Sequence, residues 1–124
     1  MVLHVLEQEF SICKIKEMGK IDWEDEICFV AKTDEECSLV CSTNCVPKET
    51  EKRDDGWRAF RIAGILDFSL VGILSEISGI LAENKIGIFA VSTYNTDYIL
   101  IKKENFERAV LVLDEAGYAG KEKK

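Results

Sequence analysis

The stretch "LDFSLVGILSEISGILAENKIGIFAVSTYNTDYILIKK", residues 66–103, decides how this chain folds. Within it Leu70, Ile73, Leu74, Ile77, Ile80 and Leu81 recur at the spacing of one face of an α-helix. Ser69 suits the N-cap, where its hydroxyl accepts from an orphan backbone N–H, and Phe68 and Ile73 are placed as a hydrophobic staple. Asn84 can close the helix in the left-handed region. "IGIFAVST" (86–93) then reads as a buried strand and "DYILIK" (97–102) as its hairpin partner. The link between them, Ser92 to Asp97, carries more hydroxyl, amide and carboxylate groups than a tight turn of about two to five residues requires.

Working outward, "WRAFRI" (57–62) is a strand candidate that precedes this helix. Phe106, Ala109, Val110, Leu113 and Ala116 mark a second amphipathic helix that stops at Gly117. The order from residue 57 is β-α-β-β-α, five sixths of the ferredoxin-like βαββαβ unit. The following "AGKEKK" is polar enough to read as a frayed tail, so the sixth strand is missing and the sheet edge would stay open. The economical solution is a strand borrowed from the N-terminal half.

That half contains "FSICKI" (10–15), "ICFVAK" (27–32) and "CSLVCS" (37–42) as short β-rich runs. "TNCVPKETEKRDDG" (43–56), with the only proline, a charge cluster and a closing Asp-Gly, reads as a solvated linker between two halves. The reading is α+β, with a well-formed second module (56–118), a degenerate first module (1–50), strand sharing between them, and a polar tail (119–124).

The chain has 124 residues and a formal net charge of −7. Residues 1–55 hold 14 acidic against 7 basic side chains, and residues 56–124 hold 9 of each. No basic stripe exists to neutralise a phosphate backbone, which argues against nucleic acid and anionic membranes. No apolar run nears the roughly 18 residues of a membrane span, and "MVLHVLEQEF" lacks a basic n-region, so a cytoplasmic protein is expected.

Five cysteines, an odd count, point to reduced thiols. Cys37, Cys41 and Cys45 share one strand face at period two and are expected to pack as small hydrophobes. No C-x2-C pair accompanies them, and the only histidine is His4, so neither a metal site nor thiol catalysis is expected.

Three steps of the sequence resemble the ACT domain family: Val71-Gly72-Ile73 opening the helix, Leu81-Ala82 near its end, and Ile86-Gly87-Ile88-Phe89 entering the strand. "STYNTDYILI" resembles the hairpin of a tandem-ACT group that includes an arginine sensor. Val71 stands where many ACT modules have proline, and Gly87 where many have asparagine. The resemblance implies ferredoxin-like modules, a non-catalytic regulatory role without a cofactor, and a small-molecule ligand, an amino acid above all. It also implies a homodimer or a regulated protein partner. The alternative is a structural or protein-interaction module that has lost its ligand.

For such a ligand the free N–H groups at the helix start, around Val71, Gly72 and Ile73, suit a carboxylate. Asp67 or Asp97 suits an ammonium, Tyr94 an aliphatic stem or a guanidinium, and Ser69, Thr93 and Asn95 supply further polar groups. A plainer reading stands beside this one. Asn95-Thr96-Asp97 builds a turn unaided, and Asp67 with Ser69 starts a helix.

Overall fold

The computed structural model describes residues 2–62 and 72–122. In chain order its elements are β1 (Val2–Val5), β2 (Phe10–Lys14), β3 (Cys28–Lys32), β4 (Cys37–Ser42), β5 (Lys52–Ile62), α1 (Ile73–Glu83), β6 (Phe89–Ser92), β7 (Asp97–Lys102), α2 (Lys103–Glu115) and β8 (Ala119–Glu122). Two compact units divide the chain: Gln8–Trp57, and Met1–Glu7 with Arg58–Lys124. Strand β5 supplies residues to each.

In the unit Gln8–Trp57, β3, β4, β2 and the first half of β5 pair antiparallel in that order. The core is Cys13, Ile15, Ile21, Leu39 and Cys41, with Cys28, Val30, Cys37 and Val46 packed against it. Cys37, Leu39 and Cys41 alternate along β4, so the thiols pack as the period-two spacing predicts, and Cys41 is buried. The alternation ends there, because residues 43–45 turn as a 3-10 helix and leave Cys45 half-buried.

Two carboxylates stitch this unit together. Asp25 accepts from the Ser42 N–H and hydroxyl, both at 2.8 Å. Asp55 accepts from the buried Ser11 hydroxyl at 2.5 Å and from Arg53 Nε at 2.8 Å. Residues 52–56, read above as linker, are strand: Lys52, Arg53 and Asp54 pair with Lys14, Cys13 and Ile12. "KRDDG" has no apolar alternation because its side chains are exposed, so only the backbone pairing identifies it.

In the other unit the sheet order is β6-β7-β5-β1-β8. β1 pairs antiparallel with β5 and parallel with β8. Ala119–Glu122, expected as a tail, is therefore a strand. The order βαββαβ is completed by β8, with β1 lying between it and β5. Leu3 and Val5, Phe60 and Ile62, and Ile99 and Ile101 alternate inward to meet Ile77 and Leu81 of α1 and Phe106, Ala109 and Leu113 of α2. Burying a side chain of this size contributes about 1.5–3 kcal/mol.

Both helices end on left-handed residues, but α1 does so one position later than expected. Asn84 has φ −94° and caps with its side chain, Nδ2 donating to Ile80 O at 2.9 Å, while Lys85 takes φ 58°. Ile86 N–H then reaches Leu81 O at 2.9 Å and buries its side chain. Gly117 (φ 98°) does the same for α2, with Tyr118 N–H donating to Leu113 O at 2.8 Å. Among the described residues no helix is long and apolar enough to cross a membrane.

Candidate functional site

The β6–β7 hairpin holds four of the predicted ligand residues, and its turn uses most of their polar groups. Thr93 N–H and Thr93 Oγ1 both donate to Thr96 O at 2.9 Å, and Thr96 N–H returns to Thr93 Oγ1 at 3.3 Å. The Thr96 side chain, buried, donates to Ile62 O at 3.1 Å and so fastens the turn to β5. Ser92 donates to Asp97 Oδ1 at 2.6 Å across the register pair Ser92↔Asp97. Asn95 is exposed, and Tyr94 stands out at 85% exposure. The turn is thus built by its own side chains, while the Tyr94 ring and part of the half-buried Asp97 carboxylate face outward.

The other half of the expected pocket is the start of α1. Gly72 is its N-cap at φ 92°, and no side chain caps the helix there. A left-handed N-cap explains the glycine, since a side chain at that φ is strained. Gly72 O accepts from Glu76 N–H at 2.8 Å, and Ile73 packs against the core. Asp67, Ser69 and Val71 lie outside the described residues, as do the staple residue Phe68 and Leu70.

The cysteines form a second cluster. Burial, then the neighbouring Cys13, Asp25, Cys45 and Cys28, pushes the Cys41 thiol up to about 12. Burial also raises Cys13 and Cys28. A nucleophilic or metal-bound cysteine needs the opposite shift, toward thiolate. Among the described residues no group of three His, Cys, Asp or Glu is placed to hold a metal ion.

Two cavities draw attention. In the unit Gln8–Trp57 a cavity of about 290 Å³ is lined by Lys16, Lys20, Glu17, Glu49, Thr50 and Glu51, charges of both signs on exposed loops. In the other unit a cavity of about 300 Å³ is lined by Val5, Arg58, Phe106, Glu107, Val110 and Gly120. The second was not visible in the sequence, because its walls come from β1, β5, α2 and β8. In "WRAFRI" alternation puts Arg58 on the face of Phe60 and Ile62, but nothing in the stretch says what meets its charge there.

Residues 52–115 match the ACT domain family. No curated protein matches the chain. Among solved structures, the chain is similar to a protein of Agrobacterium tumefaciens, with 27% identity, a TM-score of 0.87, and 99% of this chain and 93% of that one covered. It is also similar to the aspartate kinase of Clostridium acetobutylicum, an allosteric enzyme, at 13% identity and a TM-score of 0.68, over 92% of this chain and 33% of that one. A third similar structure, from Porphyromonas gingivalis, is described as a candidate C-terminal regulatory domain of an aspartate kinase. It is 15% identical with a TM-score of 0.58, covering 91% and 94% of the two chains. At such identities the kinase likenesses are likenesses of fold.

Proposed function

This chain belongs to the ACT domain family, and from that membership we propose that it is a non-catalytic regulatory module that binds a small molecule, an amino acid in the first instance. The observation that carries the reading is the ACT match over residues 52–115, which spans β5, α1, the β6–β7 hairpin and α2. The regulatory assignment of the P. gingivalis domain is in keeping with it. We read the unit Gln8–Trp57 as a degenerate companion module and β1 as a strand lent to the complete one, in a cytoplasmic protein of the tandem, arginine-sensor-like group. A homodimer or a regulated protein partner would receive the signal, through a ligand that favours one of two conformations.

The proposed site joins the start of α1 with the hairpin. Backbone N–H groups around Val71, Gly72 and Ile73 receive the ligand carboxylate, with the Ser69 hydroxyl as a further polar group, and Asp67 is a second candidate for the ammonium. Asp97 receives the ammonium, and Tyr94, with Thr93 and Asn95 beside it, receives the side chain. Titration calorimetry of the chain against the twenty amino acids tests this. We expect one to bind more tightly than about millimolar, roughly −4 kcal/mol, and Asp97→Ala and Tyr94→Ala to weaken it. If none binds, the regulatory reading falls.

One observation favours a second reading, a protein-interaction module without a ligand. Ser92, Thr93, Thr96 and Asp97 already satisfy one another within the hairpin. A partner protein that binds equally well with and without every amino acid supports this reading.

A further inference from the structure

Arg58 is in a different situation from the other charged side chains of its unit. Its Nη2 donates to Leu6 O at 2.9 Å, and its guanidinium carbon lies 4.9 Å from the centre of the Phe106 ring. The ring attracts the cation but offers no lone pair to an N–H. Arg58 Nε is shielded from solvent and has no acceptor. A buried donor of a charged group without an acceptor carries its full desolvation penalty. Among the described residues no carboxylate pairs with Arg58 either; Glu107, on the same cavity wall, is exposed.

The space beside this guanidinium has a definite shape. Val5, Phe106 and Val110 make its apolar walls. Gly120 keeps it open: a Cβ there would come within 2.9 Å of Val110 Cγ1 and 3.6 Å of Val5 Cγ2. About 300 Å³ is at the small end of ligand cavities. The Arg58 guanidinium on one wall, with no carboxylate paired to it among the described residues, selects a carboxylate, and the apolar walls select carbon behind it. The Glu107 carboxylate at the wall disfavours a dianion such as phosphate.

We propose that this cavity binds a small monocarboxylate with a short apolar body, its carboxylate on Arg58 and its carbons against Val5, Phe106 and Val110. Two sources supply that chemistry: a free short-chain carboxylic acid, and an α-amino acid with an aliphatic side chain. The site is separate from the hairpin and does not depend on the function proposed above. It adds Arg58, Val110 and Gly120 as binding residues.

The test titrates the full chain with 3-methylbutanoate, with leucine, and with the neutral 3-methylbutan-1-ol, by calorimetry and by amide chemical shifts. The acid, leucine or both should bind and shift the amides of Val5, Val110 and Gly120, and the alcohol should not. Arg58→Gln should weaken binding roughly tenfold or more, the scale of charge-assisted hydrogen bonds. Because that variant also loses the Leu6 bond, Gly120→Ala provides a second arm that leaves Arg58 in place and narrows the cavity; it too should weaken binding. Glu107→Gln separates the sources: it strengthens binding of the free acid, and weakens leucine if Glu107 takes the ammonium.

Binding that survives both Arg58→Gln and Gly120→Ala overturns the site, as does no amide shift with either ligand up to about 10 mM. Binding of both 3-methylbutanoate and leucine that is lost in Asp97→Ala and retained in Arg58→Gln overturns the cavity while upholding the hairpin. The reverse pattern upholds the cavity and moves the ligand away from the hairpin.

Discussion

Cys41 sits 2% exposed on β4, opposite Cys28 on β3 and Ser11 on β2. Its burial holds the thiol neutral, from an ordinary value of 9.0 up to about 12. A group whose proton is held more tightly in the fold than in the unfolded chain stabilises the fold fully below its unfolded value. That contribution is lost as pH rises from about 9 through about 12. Urea midpoints of the wild type and Cys41→Ala, measured from about pH 8 to about pH 11, should therefore converge as the solution becomes alkaline. Parallel curves would show that the thiol does not ionise in the unfolded chain alone. The packing of these cysteines was legible at the residue scale, because alternation along a strand is a local pattern. Arg58 was not legible. Its missing acceptor depends on β1 and α2, which the residues around it do not announce.

Among the elements, α2, the body of α1 and the β6–β7 pairing followed directly from spacing. Helix α1, however, begins at Ile73 behind a Gly72 N-cap, later than the Ser69 N-cap expected, and β6 runs only from Phe89 to Ser92 with no side chain fully buried. Ile77 and Leu81 on α1, and Phe106, Ala109 and Leu113 on α2, are buried as the 3.6 period requires. The start of β5 and the whole of β8 escaped, for a common reason. Lys52–Gly56 and Ala119–Lys121 are exposed or half-buried and carry no apolar alternation, and both segments become strands by backbone pairing, with β2 and with β1. β8 covers one edge of β1, from Val2↔Ala119 to Val5↔Glu122. A chain truncated after Tyr118 should leave that edge unpaired, melt at a lower temperature and self-associate. Size-exclusion elution together with a thermal melt measures both effects. If elution and melting match those of the full chain, β8 contributes nothing to closing the sheet.

For the whole molecule, acidity and secondary structure divide the chain in a way that experiment can exploit. Both helices belong to the unit containing Arg58–Lys124, and both tryptophans, Trp23 and Trp57, to the unit Gln8–Trp57. Circular dichroism at the helix band therefore follows one unit and tryptophan fluorescence the other. Since β5 is one continuous strand with residues in each, the two signals should lose structure at the same urea concentration. Separate midpoints would mean that the units unfold independently.

By itself the sequence determined the α+β class, the helix–hairpin–helix run and the ACT resemblance, because helices and hairpins are stabilised by residues a few positions apart, whose spacing is written in the chain. Only the tertiary structure decided that β1 lies between β5 and β8, that the polar tail completes the sheet, and that Arg58 borders a cavity. Those features join opposite ends of the chain through backbone hydrogen bonds, which any residue except proline can make and which therefore leave no periodic trace. The residues of "STYNTD" stand between the two cases. Their turn was readable from residue type, but that four of them satisfy one another appeared only once the strands were paired.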